Sequence, residues 1–298
     1  YLRRKKRRSQ MDFKRIEWIF FFAFLGLNLF LFNLYREAKI EQNITYRTNE
    51  TIPIQKRLSS ENIRYEEEFS NDKLQGYYLS GVQTDFNQAL LDERTRLNKP
   101  QLLEKQTTIA GGNLAHTLET PVILDNESQI NAETIDDILT RTDLFLFGKE
   151  YQYLADASFI ADDYSEIVTG QFYEDIPLND ASGRLTMILE RVEDQWLLTK
   201  YVQSHVSDLA PLREAMPVYS ESDIINTLYV NNRIPVNSTI MWRQLAYKMT
   251  LKVRGQAIYV PTWFVAIETT DGKTRIELVN GFTNRIVTNS VVQTVENQ

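Results

Sequence analysis

The eighteen residues from Trp18 to Tyr35, WIFFFAFLGLNLFLFNLY, carry no formal charge and only two strongly polar side chains, Asn28 and Asn33. As a helix they would run about 27 Å, close to the roughly 30 Å hydrocarbon core of a bilayer. The run is apolar around every face, which predicts a transmembrane helix over 18–35 rather than a helix resting one stripe on a core. Trp18 and Tyr35 sit at its two ends, where amphipathic rings prefer the interface, and Lys14 and Arg15 add cationic anchors on the N-terminal side. The run is longer than the apolar core of a signal peptide. Arg36, Glu37, Ala38 and Lys39 follow it without a small-residue cleavage site, so an uncleaved signal-anchor is expected. In lipid, Gly26 lets a second helix approach closely, and Asn28 and Asn33 can each hydrogen-bond a partner helix for about 0.6–2 kcal/mol. The plainer alternative makes Gly26 incidental and leaves Asn33 solvated near the interface.

Beyond the apolar run the pattern changes. Residues 36–75 scatter Ile40, Ile44, Ile52, Ile54, Leu58 and Ile63 among polar side chains with no sustained period, which predicts a polar stalk or extended linker with room for short pairing segments inside it. A strand-like start at Leu79, a polar helical stretch over 84–97 and a turn at Gly111 and Gly112 mark the beginning of a folded region. The segment 133–139 predicts a short helix. FLFGKEYQYLADASFIAD and SEIVTGQFYEDIPL show the aromatic and β-branched enrichment of strands. RLTMILERV and QWLLTKYVQSHV read as a hairpin turning at Glu193 and Asp194. The order then recurs. A helix over 221–230 turns Ile224, Ile225 and Leu228 to one side, with Ser220 or Ser222 as cap. Strands STIMWRQLAYKMTLKV, AIYVPTWFVAIET and TRIELVNGFTNRIV follow, with Asp271 and Gly272 as the clearest hairpin turn. Pro261 inside the second of these predicts an edge strand or a bulge.

These elements predict an α+β protein: a single N-terminal transmembrane helix, then an extracellular domain of antiparallel sheets with short helices. The expected division is a short basic cytoplasmic tail at 1–17, the helix at 18–35, the stalk at 36–75 and the α+β domain at 76–298. Two halves of like element order fall at 130–210 and 218–298.

Charge sharpens the orientation. Residues 1–17 carry a balance of +6, so the remainder of this chain of net charge −7 holds −13. The positive-inside rule then puts the N-terminus in the cytoplasm. Counted from Met11, the first methionine, Lys14 and Arg15 face Arg36 and Lys39, and the rule nearly ties. The acidic main domain argues against a nucleic-acid partner, and the basic end suits a membrane lipid surface.

The chemistry is sparse. With no cysteine, disulfides and thiolate chemistry are excluded. His116 and His205 each stand alone, so neither a zinc site nor a catalytic imidazole is expected. Ser70 to Lys73 formally match S-x-x-K, but in a polar stretch with no S-D-N or K-T-G after it. The pairs Asp136 with Asp137 and Asp162 with Asp163, and the run Glu66 to Glu68, read as solvated acids. No phosphate loop or dinucleotide fingerprint is present, so no cofactor is expected. Trp242, Trp263 and Tyr259 could line a ligand pocket, although alternating aromatics in strands usually form core. The expectation is a protein that is not an enzyme. The rival readings are a membrane-anchored extracellular ligand-binding protein and a cell-wall-processing protein.

The stretch MDFKRIEWIFFFAFLGLNLFLF, from Met11, resembles the opening of the YycI (WalI) family of Gram-positive bacteria. Its members place Met, Asp, an aromatic residue, Lys and Arg directly before one membrane helix with an Asn-containing apolar run. The later layout, with strands such as TWFVAIET near the end, is similar too. The resemblance implies a non-catalytic regulator on the cell membrane that acts with a YycH-like membrane protein on a WalK-type sensor histidine kinase governing cell-wall homeostasis. It also implies contacts through the membrane helices, which would give Gly26, Asn28 and Asn33 a role.

Overall fold

The computed structural model describes residues 17–33, 53–124, 130–288 and the backbone of 293–295. The chain divides into two units, Tyr1–Arg57 and Leu58–Gln298.

In the first unit, residues 17–33 form helix α1. Its large apolar side chains from Trp18 to Phe32 are all exposed, and Trp18 stacks on Phe22 with ring centroids 5.4 Å apart. No helix among the described residues is long and apolar enough to cross a membrane. The span expected over 18–35 includes Leu34 and Tyr35, which lie outside the described residues, as do Lys14, Arg15 and the interval 36–52.

Helix α2 (Ile54–Ser60) spans the boundary between the units. The second unit is mixed α+β, with mostly antiparallel sheets and few helices. In chain order it contains β1 (Leu79–Gln83), α3 (Phe86–Leu97), β2 (Thr107–Ala110), β3 (Asn113–Ile123), α4 (Ala132–Leu139), β4 (Tyr151–Tyr153), β5 (Tyr164–Tyr173), β6 (Arg184–Val192), β7 (Gln195–Ser204) and β8 (Val206–Pro211). After these come α5 (Glu221–Val230), β9 (Thr239–Val253), β10 (Gln256–Glu268) and β11 (Thr274–Asn280).

One sheet has the order β2-β3-β7-β6-β5-β4 and is antiparallel throughout. Alternation along β6 turns Leu185, Met187 and Leu189 inward, against Ile135, Ile138 and Leu139 of α4 and Phe86 and Leu90 of α3. In the other sheet β10 pairs with β9 along its length, with β1 at Gln256–Tyr259 and with β11 at Thr262–Glu268, while β8 pairs with β1. Only His205 separates β7 from β8, so one run of chain passes from the first sheet into the second.

Local chemistry explains most boundaries. Ser220 and Asp223 form a reciprocal capping box at the start of α5, deciding between the two candidate caps, while Ser222 Oγ donates to the Phe69 carbonyl. Gly111–Gly112 and Glu193–Asp194 each have two positive φ angles, as two-residue hairpin turns require. Asp271 and Gly272 lie instead in a five-residue connection between Glu268 and Thr274, closed by the Gly272 N–H donating to the Thr269 carbonyl at 2.9 Å.

Two expectations differ from the structure. Pro261 is not on an edge strand, because β10 is central. Its carbonyl accepts from the Gly281 N–H at 2.8 Å on the side away from β9, and its missing donor falls between the ends of β1 and β11, where no ladder bond is lost. Second, where a polar stalk was expected over 36–75, the described part from residue 53 carries α2, a parallel pairing of Arg64–Tyr65 with Thr239–Ile240, and the buried side chains Leu58, Ile63 and Phe69. Arg243, its side chain 8% exposed, ties this segment down. Its guanidinium donates to Glu221 and lies 5.0 Å above the Phe69 ring, while Glu221 accepts from the Ser70 N–H at 2.8 Å. A chain pinned by such long-range contacts has no reason to show a helical or strand period.

Candidate functional site

A cleft of about 670 Å³ lies between α3 and residues 139–150. Helix α3 starts at Asp85, whose carboxylate accepts from the Asn87 N–H at 2.9 Å, and it buries only Phe86 and Leu90. Its other face presents Asp85, Gln88, Asp92, Glu93 and Arg96 to the cleft. Ala89, Leu139 and residues 145–147 make an apolar floor.

The opposite wall is formed by residues 144–150, and strand was expected from Phe145 on. Before Tyr151 it is instead a series of turns ending in one turn of 3-10 helix at Gly148–Glu150, and β7 stitches it in place from the side. Tyr201 Oη donates to the Leu144 carbonyl, Gln203 Nε2 to the Leu146 carbonyl, and Tyr151 Oη to the Ser204 carbonyl at 2.6 Å. Burial raises the phenol pKa of both tyrosines, which keeps them donors across the physiological range. Phe147 closes this wall in the left-handed region at φ 56°, an arrangement costing a bulky residue about 1–3 kcal/mol. Its ring stacks on His205 with centroids 4.1 Å apart.

His205 is 3% exposed and anchors one end of the cleft. Its Nε2 lies 3.0 Å from Glu150 Oε2 and its Nδ1 2.7 Å from Thr84 Oγ1, which in turn contacts Ser207 Oγ. A carboxylate can only accept, so in the neutral ring Nε2 carries the proton and Nδ1 accepts from Thr84. The backbone at the sheet crossing is equally tied. Thr84 N–H donates to the His205 carbonyl at 2.9 Å, and Gln171 bonds both the N–H and the carbonyl of Val206 at 2.7 and 3.0 Å.

A hydroxyl, an imidazole and a carboxylate in line invite comparison with an acyl-transfer triad, but the polarity is reversed. Catalysis needs the hydroxyl facing substrate and the acid buried behind the ring. Here the Thr84 hydroxyl lies at the margin of the cleft, 9% exposed and already bonded to His205 and Ser207, whereas the Glu150 side chain is 55% exposed. The arrangement suits positioning: it locks the sheet crossing and presents one carboxylate to the cleft.

The hydrogen bond from His205, more than any other influence, holds the Glu150 carboxyl below its ordinary range despite partial burial. A depressed carboxylate contributes stability above its unfolded pKa, near 4.3, and that contribution is lost as pH falls through the folded value below it. Acid unfolding below about pH 4.3 is therefore expected to be less steep in Glu150→Gln than in the native chain. Equal steepness would refute the coupling. Glu93, Asp143 and Asp271 are depressed too, by surface partners, so the difference between the two chains isolates Glu150.

The other residues singled out by sequence are dispersed. Gly26 and Asn33 lie seven residues apart on α1, within about 20° of one another around the axis, whereas Asn28 points about 160° away from Gly26. They cannot serve one contact face together. Trp18 lies eight residues before Gly26, at the N-terminal end of the same helix. Ser70 Oγ hydrogen-bonds Asp72 on the surface, and Lys73 is exposed. The acids at 66–68, 136–137 and 162–163 are exposed, and no metal-holding group occurs among the described residues. His116 is half-buried beside Thr107, its pKa lowered by burial. Trp263 and Tyr259 are core: Trp263 Nε1 donates to the Tyr219 carbonyl at 3.0 Å, and burial pushes the Tyr259 phenol up to about 12. Trp242 packs partly buried against the same sheet.

No curated protein matches the sequence. Among solved structures, an uncharacterized protein from Eubacterium rectale ATCC 33656 is 9% identical, with a TM-score of 0.47 over 77% of this chain and 91% of its own. A family model described as YycI protein matches residues 41–282, most of the second unit and the segment leading into it. The chain belongs to the YycI family.

Proposed function

We propose that this chain is a non-catalytic, membrane-anchored regulator of a WalK-type sensor histidine kinase controlling cell-wall homeostasis, acting with a YycH-like membrane partner. Its N-terminus lies in the cytoplasm and its α+β unit outside the cell. Family membership over 41–282 is the observation that carries this reading. The character of α1 supports it, because a helix that exposes Trp18 to Phe32 on all sides needs an apolar surrounding to be stable. The inverted order of Thr84, His205 and Glu150 fits a protein that positions groups rather than transforms a substrate.

The two faces of α1 give the test its resolution. A photoreactive residue at Asn28 reports one side, and one at Asn33 reports the side shared with Gly26. In full-length chain in native membranes, ultraviolet irradiation is expected to trap the kinase or the YycH-like protein from one of these positions and not from both equally. Lipid adducts alone from both positions, together with unchanged kinase output when the gene is deleted, would end the proposal.

A further inference from the structure

The cleft beside α3 has a use that regulation through membrane helices does not require. Its volume of about 670 Å³ lies within the roughly 300–1,000 Å³ of small-molecule sites. Its lining combines an apolar floor with a one-sided charge. Asp85, Asp92, Glu93 and Glu150 face it against Arg96 and Lys149 alone. Arg96 is already committed to Glu93 through a two-pronged pair whose Nε to Oε2 distance is 2.7 Å. That pair cancels, which leaves Asp85, Asp92 and Glu150 against Lys149, so an anion entering the cleft meets a net negative wall.

The aromatic floor adds a second preference. Phe147 spends one ring face on His205, yet the residue remains 38% exposed and lines the cleft. A ring with an open face attracts a cation through its quadrupole, most strongly where carboxylates stand nearby. Phe145, Leu146 and Leu139 beneath it accept an apolar stem.

We propose that this cleft binds a small organic cation, an ammonium or guanidinium group carried on an apolar stem. The cation sits over the outer face of Phe147 and within the field of Asp92 and Glu150, and the stem lies on the 145–147 floor. The inference stands apart from the regulatory role: a cleft that binds nothing leaves the α1 contacts untouched, and a failed crosslink leaves the cleft.

The test uses the full-length chain in phosphatidylcholine nanodiscs, with 4-fluorophenylalanine placed at Phe147 and its fluorine resonance followed by NMR. Phenethylammonium is titrated in parallel with 2-phenylethanol, which has nearly the same shape and no charge, and empty nanodiscs serve as blank. The expected result is a saturable shift with the amine binding about tenfold more tightly than the alcohol. Asp92→Asn should weaken the amine severalfold and leave the alcohol unchanged. Asp136→Asn, on the exposed side of α4, should change neither. Asp92 is exposed, so its neutralisation leaves the fold intact, which the fluorine line width and the circular dichroism spectrum check. Equal affinity for amine and alcohol, an Asp136→Asn effect as large as that of Asp92→Asn, or no saturable shift up to about 10 mM would each overturn the proposal.

Discussion

Gly148→Ala is expected to destabilise the second unit by at least about 3 kcal/mol, lowering its melting temperature by roughly 6–12 °C. A Cβ built at Gly148 would lie 2.0 Å from the Leu139 carbonyl oxygen and 3.3 Å from Phe145 Cβ. The nearer atom is backbone at the C-terminal end of α4, so no rotamer change relieves the contact. Either α4 or the 144–150 wall must move. The wall is the less regular member, held by the core side chains Leu144, Phe145 and Leu146 and by hydrogen bonds from Tyr201 to Leu144 and from Gln203 to Leu146. Moving it strands buried carbonyls at about 1–3 kcal/mol each. Gly111→Ala provides the contrast. That Cβ meets nothing within 4 Å, and only the positive φ of 59° opposes it, so a loss of about 1 kcal/mol is expected. Urea denaturation of the two variants separates contact from conformation. A Gly148→Ala loss no larger than that of Gly111→Ala would show that the wall yields freely.

The wall and the cleft were also the parts least legible in the sequence, for a physical reason. Helix α5 could be read because its cap, Ser220 with Asp223, and its buried side, Ile224, Ile225 and Leu228, lie within ten residues. The hairpin at Glu193–Asp194 could be read because its strands adjoin it. By contrast, the FLFGKE part of FLFGKEYQY has strand-like composition, yet its aromatics serve the core and His205 and its Leu146 carbonyl is satisfied by Gln203 of β7, far along the chain, so that only Tyr151–Tyr153 pairs as a strand. Local composition cannot reveal partners of that kind. The same holds for His205, which stood alone in sequence because Thr84 and Glu150 are distant in the chain. A bulge hid the remaining signal. Tyr201 and Gln203, followed by His205, share the inward side with Trp196 and Leu198 only because the register shifts between Leu198 and Lys200, and strict alternation would set the two groups on opposite faces. The buried part of 53–75 left no mark either, since Leu58, Ile63 and Phe69 follow no period.

That inward row makes His205→Ala the second change of large expected effect, about 3 kcal/mol of lost stability. The substitution opens a cavity at the residue where the chain leaves one sheet for the other. It removes the stack that offsets the left-handed strain of Phe147 and takes the Nδ1 acceptor from Thr84. Glu150 is half exposed and returns to water at little cost, so most of the loss should come from packing and from the Thr84 hydroxyl. His205→Phe keeps volume and stacking while removing both hydrogen bonds, and should recover about half of the loss. Because β7 and β8 are one run of chain, both sheets should still melt in a single transition in each variant. The substitution also abolishes the bond that depresses Glu150, so in His205→Ala the further change Glu150→Gln should no longer alter the steepness of acid unfolding. If Glu150→Gln has the same effect with and without His205, the two residues are not coupled, and the imidazole is only a filler of the sheet crossing.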